Sequence, residues 1–256
     1  HPDHGSSAIF GQLRNAKRLE GKLEGNISIL WYPHGWFWFI PLADGTTSVG
    51  AVCWPHYLKS RDKPLVGFFH DTIALCPELA DRLKDATLVD DLVHATGNYS
   101  YTGSHCASER YAMLGDAFAF IDPVFSSGVY LAMQSAYAAL PLVEASLDKH
   151  PSSCTVERAA FERFMRAGPK EFSWFIFRVT NPTMREFFMA PQNPLRMQEA
   201  LLTVLAGDIY GSTRFRGPLN AFKSLYWLVS LAHPRRTWQA WRRRQHHLRA
   251  AEVAAA

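Results

Sequence analysis

The sequence predicts a mixed α/β fold of the α+β kind, with sheet and helix segregated along the chain. Three observations carry this. Residues 26–54 alternate aromatic and small side chains across two turn signals, the pattern of an antiparallel meander. Tyr111 to Ala136 reads as strand, tight polar loop and helix. After His150-Pro151 the apolar residues recur almost throughout at helical spacing.

In order, Ala8 to Lys17 is compatible with a strand of poor periodicity. Ile27, Ile29 and Trp31 then alternate with Ser28 and Leu30, and Trp36-Phe37-Trp38-Phe39-Ile40 is too aromatic for anything but a strand. Pro33-His34-Gly35 forms the turn between them, and Asp44-Gly45 is a hairpin signal leading into a strand over Thr46 to Trp54. Pro64 to Ala86 is helical, broken at Cys76-Pro77 because proline starts a helix more readily than it continues one. Leu88 to Ser100 is expected to be a strand returning toward the centre.

Within Tyr111 to Ala136, Tyr111 to Leu114 is expected to be a short buried strand. Gly115-Asp116 places a flexible residue and a carboxylate at its end. Asp122-Pro123 forces a turn, and from about Val129 the pattern is helical, to about Leu147. The free N–H groups of that helix face the loop, which suits an anionic or electron-rich ligand. Further helices are expected over Thr155 to Ala167, Lys170 to Val179, Pro194 to Ala206, Ala221 to Ala232 and Thr237 to Ala250. The expected division is 1–92, 93–148 and 149–256.

Composition narrows the chemistry. At 256 residues, 48% hydrophobic and 20% charged, the chain is globular rather than disordered. A net charge of +4 gives no general case for nucleic acid. Four widely spaced cysteines without a CxxC pair predict reduced thiols and a cytoplasmic setting, not disulfides or zinc. His246 and His247 point apart on a helix, and Asp90-Asp91 reads better as a solvated pair than as a metal site. No apolar run reaches the length of a membrane span. The arginines at 235, 236, 242, 243, 244 and 249, with Trp238 and Trp241, read either as the solvated face of an amphipathic helix or as a surface for an anionic partner.

Trp36, Trp38 and Ile40 point to one side of their strand, as core or as the wall of a site. Trp36-x-Trp38-x-Ile40-Pro41 resembles the WxWxIP pattern of flavin-dependent halogenases. Gly115-Asp116, the Asp122-Pro123 turn and Ser126-Ser127-Gly128-Val129 resemble that family's flavin-contacting segment, in the same order and at a similar separation. The resemblance runs from about Gly25 to Ala136. It implies a flavoprotein-monooxygenase-like fold: a substrate-domain sheet with helices over 1–92, a segment returning to the flavin domain over 93–148, and a helical region over 149–256.

By resemblance, Gly115 and Asp116 contact the FAD sugar chain, Asp122, Pro123, Gly128 and Val129 lie along the cofactor, and Ser127 and Gly128 hold chloride or bromide. Trp36 and Trp38 wall the path along which the halogen oxidant reaches an aromatic substrate. FAD is reduced by a separate flavin reductase. Tryptophan-acting members carry Glu where this chain has Phe125, so the resemblance implies an activated phenol or pyrrole, in some members tethered to an acyl carrier protein. The family's GxGxxG unit and reactive lysine have no counterpart here. The expectation is the second half of a halogenase from secondary metabolism. The first half would be a separate chain or absent by truncation, as the missing initiator Met also suggests, and flavin binding in isolation would be weak. The alternatives are a related flavin monooxygenase and a non-catalytic partner subunit.

Overall fold

Alternation along the aromatic segment produces a five-stranded antiparallel sheet. The computed structural model describes residues 5–97, 99–148, 150–178, 181–189, 196–206 and 214–253. Strands β1 (Ser7–Arg14), β2 (Ser28–Tyr32), β3 (Gly35–Pro41), β4 (Thr47–Cys53) and β5 (Thr87–Thr96) lie in the order β2-β3-β4-β1-β5. The expected meander is its β2-β3-β4 part. Pro33 and His34 make a two-residue turn closed by Tyr32 opposite Gly35. β1 inserts between β4 and β5, so the weakly patterned first strand becomes central.

Period two sorts the side chains. Ile9, Leu13, Phe37, Phe39, Val49 and Ala51 face a core closed by α1 (Pro55–Lys59), α2 (Leu65–Ala74) and α3 (Pro77–Arg82). Phe68, Phe69 and Ile73 of α2 and Leu79 of α3 fill it. Fully burying each such side chain contributes about 1.5–3 kcal/mol. Arg82 enters this core with its guanidinium 3.6 Å from the Phe39 ring centroid. It donates to Lys17 O at 3.1 Å and to Ser28 Oγ at 2.9 Å.

The chain divides into two units, one running to Tyr99 and including the end of the chain from Gln245, the other covering Ser100–Arg244. The expected boundary at 92/93 falls inside β5, whose bonds to β1 hold it in the sheet to Thr96. Across 148/149, Ala139 and Leu142 share one core with Phe161 and Met165. Asp90 and Asp91 both take left-handed conformations, with φ of 54° and 52°. They sit where the β1–β5 register shifts, as an exposed bulge.

The second unit contains the two-stranded β6 (Tyr101–Thr102) and β7 (Ala119–Phe120), then α4 (Gly128–Asp148), α5 (Thr155–Ile176), α6 (Pro182–Met189), α7 (Met197–Leu205), α8 (Arg216–Ala232) and α9 (Pro234–Val253). Tyr111 to Leu114 is not a buried strand. Its pairing is a single bridge, Ala107 to Ala112, and Tyr111 and Leu114 are exposed, because no neighbouring strand continues the ladder. α5 runs through Gly168-Pro169 where two helices were expected, with Phe161, Met165, Phe172, Phe175 and Ile176 buried along it. Part of the expected Lys170–Val179 and Pro194–Ala206 helices lies outside the described residues, at 179 and at 194–195.

α4 is unevenly covered. Ser135, Ala139 and Leu142 are buried, while Val129, Met133, Tyr137, Leu140, Val143 and Leu147 stand exposed at spacings of three and four. Leu147 is 81% exposed, so this stripe has no apolar cover among the described residues.

Candidate functional site

The sheet face opposite the core, within the unit that runs to Tyr99, carries the first group of candidate residues. One row across the strands reads Ile29, Trp38, Gly50, Phe10 and His94, and the next reads Trp31, Trp36, Val52, Ala8 and Thr96. Trp36 and Trp38 have ring centroids 6.2 Å apart, and Phe10 stands 5.8 Å from Trp38 and 5.5 Å from His94. Trp36 is buried and Trp38 half-buried. Trp38 Nε1 donates to Ser48 Oγ at 3.1 Å, which fixes the indole plane. The tryptophans therefore lie outside that core, to which β3 contributes Phe37 and Phe39. Phe10 and His94 extend the same wall. Sequence reasoning missed them because their strands carry little alternation.

The second group is built around Gly115. Its φ is +49°, and a β-carbon there would sit 2.7 Å from Ala132 Cβ and 2.9 Å from Ala132 Cα. Glycine is required on both counts. Its N–H donates to Ser135 Oγ at 2.9 Å, and Ser135 donates to Ala132 O at 2.6 Å, so the loop is pinned to α4. This close approach sets the exposed Asp116 beside the start of the helix. Its Oδ1 lies 3.8 Å from where a β-carbon of Gly128 would be.

Between them, Asp122 takes an extended conformation, and its Oδ1 accepts from Val124 N–H at 3.1 Å, capping a 3-10 turn over Pro123–Phe125. Ser126 ends that turn at φ +50°, donating its N–H to Pro123 O at 2.8 Å. Val124 and Phe125 pack into the helical core, with Phe125 6.2 Å from Phe172 and 6.5 Å from Phe175. Phe125 thus anchors the loop. Leu131 N–H bonds Ser127 O at 3.0 Å, and the N–H groups of Gly128 and Val129 before it have no helical carbonyl to meet.

Gly115, Asp116, Ser127, Gly128 and Val129 therefore come together within one unit. Asp122 and Pro123 shape the loop instead of presenting a free carboxylate. The residues fit a flavin dinucleotide: Asp116 offers acceptors for sugar hydroxyls, the glycines leave its approach clear, and the helix start favours negative charge. Asp116 also answers the helix dipole on its own, which is its purely structural role. Among the described residues no group of three or more His, Cys, Asp and Glu could hold a metal ion. The four cysteines are buried and unpaired, with burial pushing the Cys53 thiol up to about 12. No helix among the described residues is long and apolar enough to cross a membrane.

The tryptophan halogenase family model matches residues 31–186. A tryptophan 2-halogenase of Chondromyces crocatus is 33% identical over 139 residues, covering 54% of this chain and 27% of the relative. A flavin-dependent halogenase of Metacordyceps chlamydosporia is 40% identical over 119 residues, covering 44% of this chain and 23% of the relative. Among solved structures, the myxobacterial chondrochloren halogenase, a variant of FAD-dependent halogenases, matches with a TM-score of 0.61 at 30% identity, covering 79% of this chain and 48% of that one. The chain spans about a quarter of the length of these curated relatives and about half that of the solved structure. The matched segment includes the tryptophan strand, the Gly115-Asp116 loop and the start of α4, and the chain belongs to the tryptophan halogenase family.

Proposed function

We propose that this chain supplies the substrate-side wall and part of the cofactor cradle of a flavin-dependent halogenase. The observation that carries the reading is the approach of Gly115 to α4, which sets a solvent-accessible carboxylate beside a helix start with no side chain in the way. FAD, reduced by a separate reductase, would when bound react with molecular oxygen, and that oxygen is the two-electron oxidant of chloride or bromide. Asp116 accepts hydrogen bonds from the sugar chain. Ser127 and Gly128 favour the halide through their N–H groups, and Val129 lies along the cofactor. Trp36 and Trp38 exclude water along their face of the sheet, which keeps a reactive halogen species from being lost to solvent.

The substrate class follows from Phe125. With a half-buried phenylalanine packed against Phe172 and Phe175 at that position, no carboxylate stands there to take a proton from a weakly activated ring. An electron-rich phenol or pyrrole, free or held on an acyl carrier protein, fits this arrangement. The dinucleotide-binding half, joined to this chain or separate, completes the cofactor site, and the setting is cytoplasmic.

The test combines the protein with a GxGxxG-containing half, FAD, a flavin reductase and a panel of phenols and pyrroles, and looks for halogen isotope patterns by mass spectrometry. Halide-dependent product is expected. Asp116→Ala is expected to weaken FAD binding about tenfold, the value of one hydrogen bond to a charged group. Oxygenated product without halogen assigns a monooxygenase instead.

A further inference from the structure

The outer surface of α8 and α9 is the strongest feature that the halogenase reading leaves unused. α9 carries six arginines between Pro234 and Val253 against one acidic residue, Glu252. Three contacts hold the helix. Arg236 forms an ion pair with Glu186, the Arg244 guanidinium lies 5.3 Å from the Phe177 ring centroid, and Thr237 Oγ1 donates to Ser230 O at 2.8 Å. At about 100° per residue, Trp238 and Trp241 fall within roughly 60° of each other, and Arg235 and Arg242 follow together on the side next to Trp238. Trp238 and Trp241 are 55% and 56% exposed, and the Arg242 guanidinium sits 4.6 Å from the Trp238 ring centroid. In α8, Leu228 and Leu231 project beside Trp227, with Leu231 74% exposed.

We propose that this surface docks on an anionic lipid bilayer. Two indoles with guanidinium groups along one side match the boundary between headgroups and acyl chains, where the ring is partly buried and the cation meets phosphate. The aliphatic side chains of α8 add apolar area with no charge to bury. A helix's outer face is a convex ridge, and a deformable lipid surface covers such a ridge without a complementary groove. An acidic protein would answer the arginines but would need a shaped pocket for each protruding Trp and Leu. The docked protein would act on substrates dissolved in, or delivered at, a membrane surface.

The experiment is co-sedimentation of the protein with vesicles of phosphatidylcholine alone and of phosphatidylcholine with phosphatidylglycerol. Binding to the anionic vesicles at least tenfold tighter is expected, weakening as salt rises. The double variants Trp238→Ser/Trp241→Ser and Arg235→Glu/Arg242→Glu should each lose roughly tenfold, with helix content unchanged by circular dichroism. Met133→Ser/Leu140→Ser on α4 should bind as the wild type. Equal binding to both vesicles, loss in the α4 variant with retention in the Trp238/Trp241 variant, or binding to an acidic carrier protein with none to vesicles overturns the proposal. None of these outcomes depends on flavin or halide.

Discussion

Trp38 lies flat across Gly50, its partner in the β3–β4 register: a β-carbon at Gly50 would stand 2.2 Å from Cζ2 of the indole. The ring occupies the space that any other residue at 50 would fill. Gly50→Ala is therefore expected to push the indole off Ser48 and cost about 1–3 kcal/mol, the usual penalty for overpacking. A lower urea midpoint with altered tryptophan emission would report it. An unchanged midpoint would mean that the indole plane is not fixed there.

Gly115 and Gly45 separate conformational strain from collision. Both have positive φ, +49° and +87°, but nothing lies within 4 Å of a β-carbon at Gly45, whereas Ala132 blocks one at Gly115. Gly45→Ala should cost about 1 kcal/mol through backbone strain alone. Gly115→Ala adds a clash with backbone and should cost roughly twice that or more. Paired denaturation curves for the two variants check the difference.

Arg82 donates to Lys17 O and Ser28 Oγ while stacking on Phe39, a planar fork used on three sides. Lysine keeps the charge but neither the plane nor the two directed donors. Arg82→Lys is expected to lose about 1–3 kcal/mol, measured by chemical denaturation at neutral pH.

Burial lowers the pKa of His56, and His246 and His34 act in the same direction; burial alone lowers His34. His247 stacks on Trp54 and on His56, each at 4.8 Å, with Nδ1 of His247 3.3 Å from Nε2 of His56. One of those nitrogens must be unprotonated to accept. The folded state thus prefers neutral imidazoles. Stability is complete above the ordinary histidine value of about 6.5, falls as pH drops from there to the depressed native values, and levels off below them. Urea midpoints between pH 8 and pH 5 should decline in that window, and His56→Gln should flatten the decline. A midpoint that rises on acidification would contradict the lowered values of His56 and His34.

Elements whose signal is local were legible in the sequence. The Pro33-His34 turn, the break at Cys76-Pro77 and the start of α4 all rest on residues that constrain their own backbone. What depends on a partner was not. Tyr111 to Leu114 has strand-like composition but no ladder to join, whereas β1 has poor alternation and is paired on both sides. α5 runs through Gly168-Pro169, its buried aromatic side outweighing a local breaker. α6 was missed although Asn181-Pro182 announces it: Asn181 Oδ1 accepts from Thr183 N–H at 2.9 Å, with proline in the first turn. In the site, spacing marked Asp116 and Gly128, but only the fold reveals that Gly115 must be glycine because Ala132 is there.

The bare stripe on α4 ties the protein's stability to mass action. Anything that covers Val129 to Leu147 in the folded chain and ignores the unfolded one raises the melting temperature with its own concentration, about 2.7 kcal/mol at a hundredfold excess over its dissociation constant. The uncovered chain and the covered one then have different melting temperatures, so a single value describes the protein only when the occupant and its concentration are stated.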